Sequence, residues 1–106
     1  MPQSATIEVL AEPNRRRLLD ELREGEQPVG ALVDRTGLSQ PAVSKHLRVL
    51  RDAGLVEVRP DGQRRLYRVR PEPLMELDAW LEPYRRMWRA SLDRLESHLT
   101  EGEPDA

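Results

Sequence analysis

"TGLSQPAVSKHLRVLRDAGLVEVRPDGQRRLYRV", residues 36–69, decides the fold, because its apolar spacing changes midway and turn residues mark each boundary. Thr36-Gly37-Leu38 has room only for a tight turn, and Gly37 supplies the positive φ such a turn often needs. Ser39 follows as a helix N-cap, with Gln40 and Pro41 in the first turn, where the missing proline N–H does no harm. Val43, Leu47 and Leu50 are spaced 4 and 3 apart, which makes one buried stripe on a helix. Gly54 stops that helix, and Leu55 folds back on its last turn. Beyond Leu55 the period becomes two. Val56 and Val58 alternate with Glu57 and Arg59, "PDGQ" offers an Asp-Gly turn, and Tyr67 and Val69 alternate with Arg68 and Arg70. The stretch therefore predicts a helix-turn-helix followed by a two-stranded hairpin.

Upstream, Ser4 is expected to cap a short helix carrying Ile7, Val9 and Leu10, which ends near "EPN" because the residue before Pro13 leaves helical geometry. Asn14 is expected to cap a second helix with Leu18, Leu19 and Leu22 on one side, ending at Gly25. A third, "PVGALVDRT", starts at Pro28 and turns Leu32 and Val33 inward. Downstream, Leu74, Leu77, Leu81, Tyr84, Trp88, Leu92, Leu95 and Leu99 recur at spacings of 3 and 4, a long helical stripe that Pro83 is expected to kink or split. The predicted chain is mainly α with a small β-hairpin: one domain over residues 4–99 and a disordered tail over 100–106.

A chain of 106 residues suits one domain. With no cysteine, disulfides, thiolate metal sites and cysteine nucleophiles are excluded. The N-terminus lacks the pattern of a secretory signal, and no apolar run approaches the ~20 residues of a membrane span, so a cytoplasmic protein is expected. The net charge of −2 conceals an uneven distribution. Residues 35–70 hold nine Lys/Arg against three Asp/Glu, whereas 1–34 hold four against seven and 71–106 four against nine. A basic centre between acidic flanks is a footprint for a polyanion.

With Val43, Leu47 and Leu50 buried, the other face of their helix presents Gln40, Ser44, Lys45 and Arg48, with Ser39, Pro41, Ala42 and His46 at its start and margins. In a helix-turn-helix the start of the second helix enters the DNA major groove, where Gln reads adenine, Lys guanine, and Ser base or phosphate. Any one of these polar residues alone is more simply a solvated position. Together with a hairpin carrying Arg59, Arg64, Arg65, Arg68 and Arg70 they indicate double-stranded DNA, the arginines meeting phosphates or the neighbouring minor groove. No Gly-rich phosphate loop, paired carboxylates or Ser-His-Asp set points to catalysis, and no cofactor is expected.

The sequence from "LAEPNRRRLLDELREG" through "LSQPAVSKHLRVLRDAGLV" to "GQRRLYRVRPEPL" resembles the ArsR-type (ArsR/SmtB) winged helix-turn-helix repressors over roughly residues 5–99. The resemblance implies a recognition helix at 39–53, a wing at 56–69 and a homodimer joined by the first helix and the 74–99 helix, acting as a repressor on an inverted-repeat operator. The dimer face would comprise Ile7, Leu10, Leu77, Leu81, Tyr84, Trp88, Leu92 and Leu95. A 25-residue helix would be ~37 Å long, more than so small a domain can cover. Members of that family are often metal sensors. Here "QPVGALVD" lacks the cysteines of one such site, and Arg85 and Met87 stand where the other has Asp and His, leaving only His98 and Glu101 as its second half. Metal sensing through the usual family sites is therefore not expected. Trp80 and Trp88 read as core rather than a ligand cage. Two rival readings are a protein-interaction module and a repressor released by a small molecule at the dimer interface.

Overall fold

The computed structural model describes the backbone of residues 2–102 and the side chains of residues 4–100. Proline decides the first boundary. It holds Glu12 extended (φ −87°, ψ 120°), so α1 (Pro2–Leu10) gives way to α2 (Pro13–Leu22) with Pro13 in the first turn. Glu12 is the cap of α2, its carboxylate accepting from the Arg15 N–H at 3.1 Å, and the expected cap, Asn14, lies inside the helix. Ser4 likewise lies within α1 rather than at its start. The side chains of Arg15 and Arg16 turn back to donate to the carbonyls of Val9 and Leu10 at 2.7 and 2.5 Å, answering the open C-terminus of α1.

After β1 (Gln27–Pro28) come α3 (Val29–Thr36) and α4 (Gln40–Asp52). Gly37, at φ 73°, closes α3 and returns its N–H to the Val33 carbonyl at 2.9 Å. Thr36 is buried; its hydroxyl donates to the Leu32 carbonyl at 2.7 Å and accepts from the Leu38 N–H at 3.3 Å. Arg17, from α2, donates to the Thr36 carbonyl at 2.6 Å, so the turn is braced from a third helix. At the far end of α4, Leu55 N–H bonds the Leu50 carbonyl and Gly54 N–H that of Arg51, both at 2.9 Å, a Schellman closure that aims the chain into β2 (Val56–Asp61).

The sheet has three antiparallel strands in the order β1-β3-β2, where the sequence predicts two. β2 and β3 (Arg64–Val69) are joined by Gly62-Gln63, with a positive φ of 64° at Gly62 alone; the turn bends at Gly-Gln rather than at Asp-Gly. β1 adds Gln27 opposite Tyr67 and Pro28 opposite Leu66. Two residues are too few to show a period, and Pro28 is accommodated because the strand is an edge.

Leu18, Leu19 and Leu22 of α2, Leu32 of α3, and Val43, Leu47 and Leu50 of α4 form the core with Val9, Leu55 and Val56. Each such side chain contributes roughly 1.5–3 kcal/mol of burial, which fixes α4 firmly on α2 and α3. The last helix, α5 (Glu72–Gly102), spans 31 residues, ~46 Å at helical rise, in a molecule measuring 69 × 35 × 21 Å. It runs through Pro83 without a break. Arg85 pairs with Asp78 and Glu82, bracketing that position. Leu74 packs on the core and α1 lies along α5, but from Arg86 to Thr100 every residue is exposed. Glu101 and Gly102, expected in a disordered tail with Thr100, continue the helix; residues 103–106 lie outside the described part of the chain.

Candidate nucleic-acid interface

Ser39 caps α4 from an extended conformation (φ −68°, ψ 155°), its Oγ accepting from the Ala42 N–H at 3.3 Å. Because Val43, Leu47 and Leu50 are buried, helical geometry forces the other side outward. Ser39, Gln40, Pro41, Ser44, Lys45 and Arg48 are all exposed, and Ala42 is half-buried beside them. The helix thus offers amide, hydroxyl, ammonium and guanidinium groups along one side, starting at its N-terminus. That is the chemistry of base-edge and phosphate recognition.

His46 departs from this set. Its imidazole is half-buried, with Nε2 3.7 Å from the Glu12 carboxylate and Nδ1 buried without a hydrogen-bond partner. It ties α4 to the cap of α2 instead of joining the outward face. Partial desolvation raises the Glu12 carboxyl, but the N–H groups of Asn14 and Arg15, with the nearby His46 and Arg15, outweigh it and leave it below its ordinary value.

The hairpin sorts its arginines by face. In the observed register Glu57 lies opposite Arg68 and Asp61 opposite Arg64. Arg68 pairs with Glu57, and Arg64 Nε lies 3.2 Å from Asp61. Arg59 donates two hydrogen bonds to Glu26, at 2.9 and 2.5 Å, which hold that carboxyl below the usual carboxylate range. Arg70 stands 3.9 Å from Glu57 and 3.7 Å from Glu72. Four of the five wing arginines are therefore matched by carboxylates, contrary to the free cationic display the sequence suggests. Alternation explains it: positions 57, 59 and 61 share a face with 64 and 68, so acid and base meet across the strands. Arg65 lies on the other face with Val58 and Tyr67, and has no carboxylate within 4 Å among the described residues.

That second face looks toward α4. Arg51, Val58, Arg59, Pro60 and Arg65 line a cleft of about 280 Å³, and beside it Ser44, Leu47, Arg48, Arg51, Asp52 and Tyr67 line one of about 470 Å³. Lys45, Arg48 and Arg51, like Arg65, have no ion-pair partner among the described residues. The candidate interface thus takes in Arg51 and Tyr67, which the sequence reading does not select. Arg51 was within reach of it: three residues after Arg48 and seven after Ser44, it continues their stripe.

The residues expected at a dimer face divide in two. Leu10, Leu77 and Leu81 are half-buried where α1 meets α5, whereas Ile7, Tyr84, Trp88, Leu92 and Leu95 are exposed, Trp88 to 48% and Leu92 to 59%. Trp80 is exposed too, its ring 5.0 Å from that of Tyr84; neither tryptophan is core within one chain. Among the described residues no helix is long and apolar enough to cross a membrane.

Comparison with known proteins places this geometry. The family model described as "Bacterial regulatory protein, arsR family" matches residues 12–58. The HTH-type transcriptional regulator Rv2034 of Mycobacterium tuberculosis is 40% identical over 85 residues, covering 80% of this chain and 77% of its own. A solved structure of a possible transcriptional regulator for arsenical resistance is 44% identical with a TM-score of 0.68, over 92% of this chain and 95% of that one. The transcriptional repressor BigR from Xylella fastidiosa is 32% identical with a TM-score of 0.62, over 76% and 84%.

Proposed function

The chain belongs to the arsR family of bacterial regulatory proteins, and from that premise we propose that this transcriptional regulator is a homodimeric, sequence-specific repressor of an inverted-repeat operator. One observation carries the reading. α4 turns Gln40, Ser44, Lys45 and Arg48 to solvent on a helix whose other side is locked into the core. The recognition helix (39–53) reads base edges in the major groove, with Ser39, Pro41 and Ala42 against the backbone at its start. The wing (56–69) contributes Arg65 directly. Arg59 and Arg64 flank it while committed to Glu26 and Asp61, so they stand beside the phosphates without adding free charge. His46 contributes through the placement of α4 rather than by touching DNA.

The second copy is called for by α5. Tyr84, Trp88, Leu92 and Leu95 form an apolar stripe with no cover in one chain, and a two-fold pairing along it with Ile7 and Leu10 would close it. Two recognition helices would then meet successive major grooves about 34 Å apart. Metal sensing through the usual family sites is not part of the reading, since Arg85 engages Asp78 and Glu82 at the position where that site's first ligand would stand. Such a protein works in the cytoplasm, at the chromosome.

Selection of bound duplexes from a random pool tests the proposal. A retained consensus with two-fold symmetry is the expected result. Recovery of no sequence above background at low salt rejects DNA reading, and an asymmetric single half-site rejects the dimer.

A further inference from the structure

We propose that a cavity within each protomer, separate from the dimer stripe, binds an α-amino acid with an aliphatic side chain. The cavity holds about 600 Å³ between the end of α2, the base of the wing and the first turn of α5, inside the ~300–1,000 Å³ range of small-molecule sites. It shares only Arg59 with the clefts between α4 and the wing. Leu19 and Leu22, buried core residues, form its aliphatic wall with the half-buried Val69 and Leu74. A hydrocarbon side chain gains by leaving water for such a wall.

The charged lining carries both signs, and ion pairs consume most of it. Arg59 holds Glu26, and Arg68 is engaged with Glu57. Asp20 and Arg23 also line the cavity, and neither has an ion-pair partner among the described residues. Arg23 caps α2 in helical geometry (φ −59°, ψ −31°), so the two positions are neighbours one turn apart, at ~5–6 Å between Cβ atoms. What is left over is therefore one carboxylate and one guanidinium, side by side above a hydrocarbon wall. A ligand whose ammonium and carboxylate share one carbon answers both, Asp20 accepting from the ammonium and Arg23 donating to the carboxylate. A lone anion would face Asp20, a lone cation would face Arg23, and an uncharged chain would answer neither.

The site stands independently of DNA recognition and is tested without DNA. The full chain is titrated calorimetrically with L-leucine, with 4-methylpentanoate, which lacks the ammonium, and with 3-methylbutylamine, which lacks the carboxylate. Leucine should saturate one site per chain, about tenfold or more tighter than either analogue, the discrimination expected of a charge-assisted hydrogen bond. Both positions are exposed, outside the core, so the variants keep the fold. Asp20→Asn should bring leucine down to the level of 4-methylpentanoate, and Arg23→Gln should bring it down to the level of 3-methylbutylamine. Absence of saturable leucine binding overturns the proposal. So does either analogue binding as tightly as leucine, or either variant retaining the full preference.

Discussion

Removing one carboxylate from the wing should strengthen DNA binding, and the size of the effect follows from the ion pairs. Of the nine Lys/Arg in residues 35–70, Arg35, Arg59, Arg64, Arg68 and Arg70 stand within 4 Å of a carboxylate, leaving Lys45, Arg48, Arg51 and Arg65 uncommitted. The proposed dimer would bring about eight free cations to the phosphates, and at ~0.9 counterion per neutralised phosphate the slope of log affinity against log salt should be about −7. Affinity should fall by about four decades between roughly 50 and 200 mM salt; were every cation free, the slope would approach about −16. Glu57→Gln releases Arg68, while Arg70 keeps Glu72. It should steepen the slope by about 1.8, one arginine in each of two protomers. Arg65→Ala should flatten it by the same ~1.8, and Arg68→Ala should leave it nearly unchanged. Fluorescence anisotropy of a labelled duplex carrying the selected site, across that salt range, measures all three. Equal losses of slope for Arg65→Ala and Arg68→Ala, or an unchanged slope for Glu57→Gln, would refute the division of the arginines into free and committed.

Gln40→Ala should relax base preference at one position of each half-site, costing about 1–3 kcal/mol against the preferred base, as read by competition with single-base variants. Trp88→Glu places a charge on the exposed stripe of α5 and should yield monomers by sedimentation; dimers that persist move the subunit contact elsewhere. Thr36→Val removes the hydroxyl that serves both Leu32 and Leu38, and should cost about 1–3 kcal/mol in urea unfolding. The carboxyls of Glu12, Glu26 and Glu82 are all held below their ordinary value of 4.5, so they bind protons more weakly folded than unfolded. The stability they confer is complete above pH 4.5 and is lost as pH falls through their folded values. Thermal melts should show a decline that begins in that acidic window and is reduced by Glu26→Gln.

The helix-turn-helix was legible because each of its decisions is local. A cap at Ser39, a left-handed residue at Gly37 and a spacing of 4 and 3 among Val43, Leu47 and Leu50 all lie within a few residues of what they determine. Long-range pairings were not legible. β1 is two residues that become a strand only because β3 lies beside them, and Glu26 meets Arg59 across 33 residues. The hairpin charges lay between these cases. Fixing the loop at Gly62-Gln63 puts Glu57 opposite Arg68, but a loop centred on Asp-Gly shifts every partner. Pro83 shows the limit of residue rules, since a 31-residue helix runs through it while Arg85, just beyond it, pairs back to Asp78 and Glu82 before it.

The hydrogen bond from Arg17 to the Thr36 carbonyl bears on how far the DNA-reading unit can be moved between proteins. A segment running from α3 to α4 carries the outward residues of the helix proposed to read bases, yet it leaves behind the guanidinium that answers the last carbonyl of α3. Chimeras that swap only those two helices would inherit a hinge with slack in it. Portable specificity in this scaffold begins at Pro13.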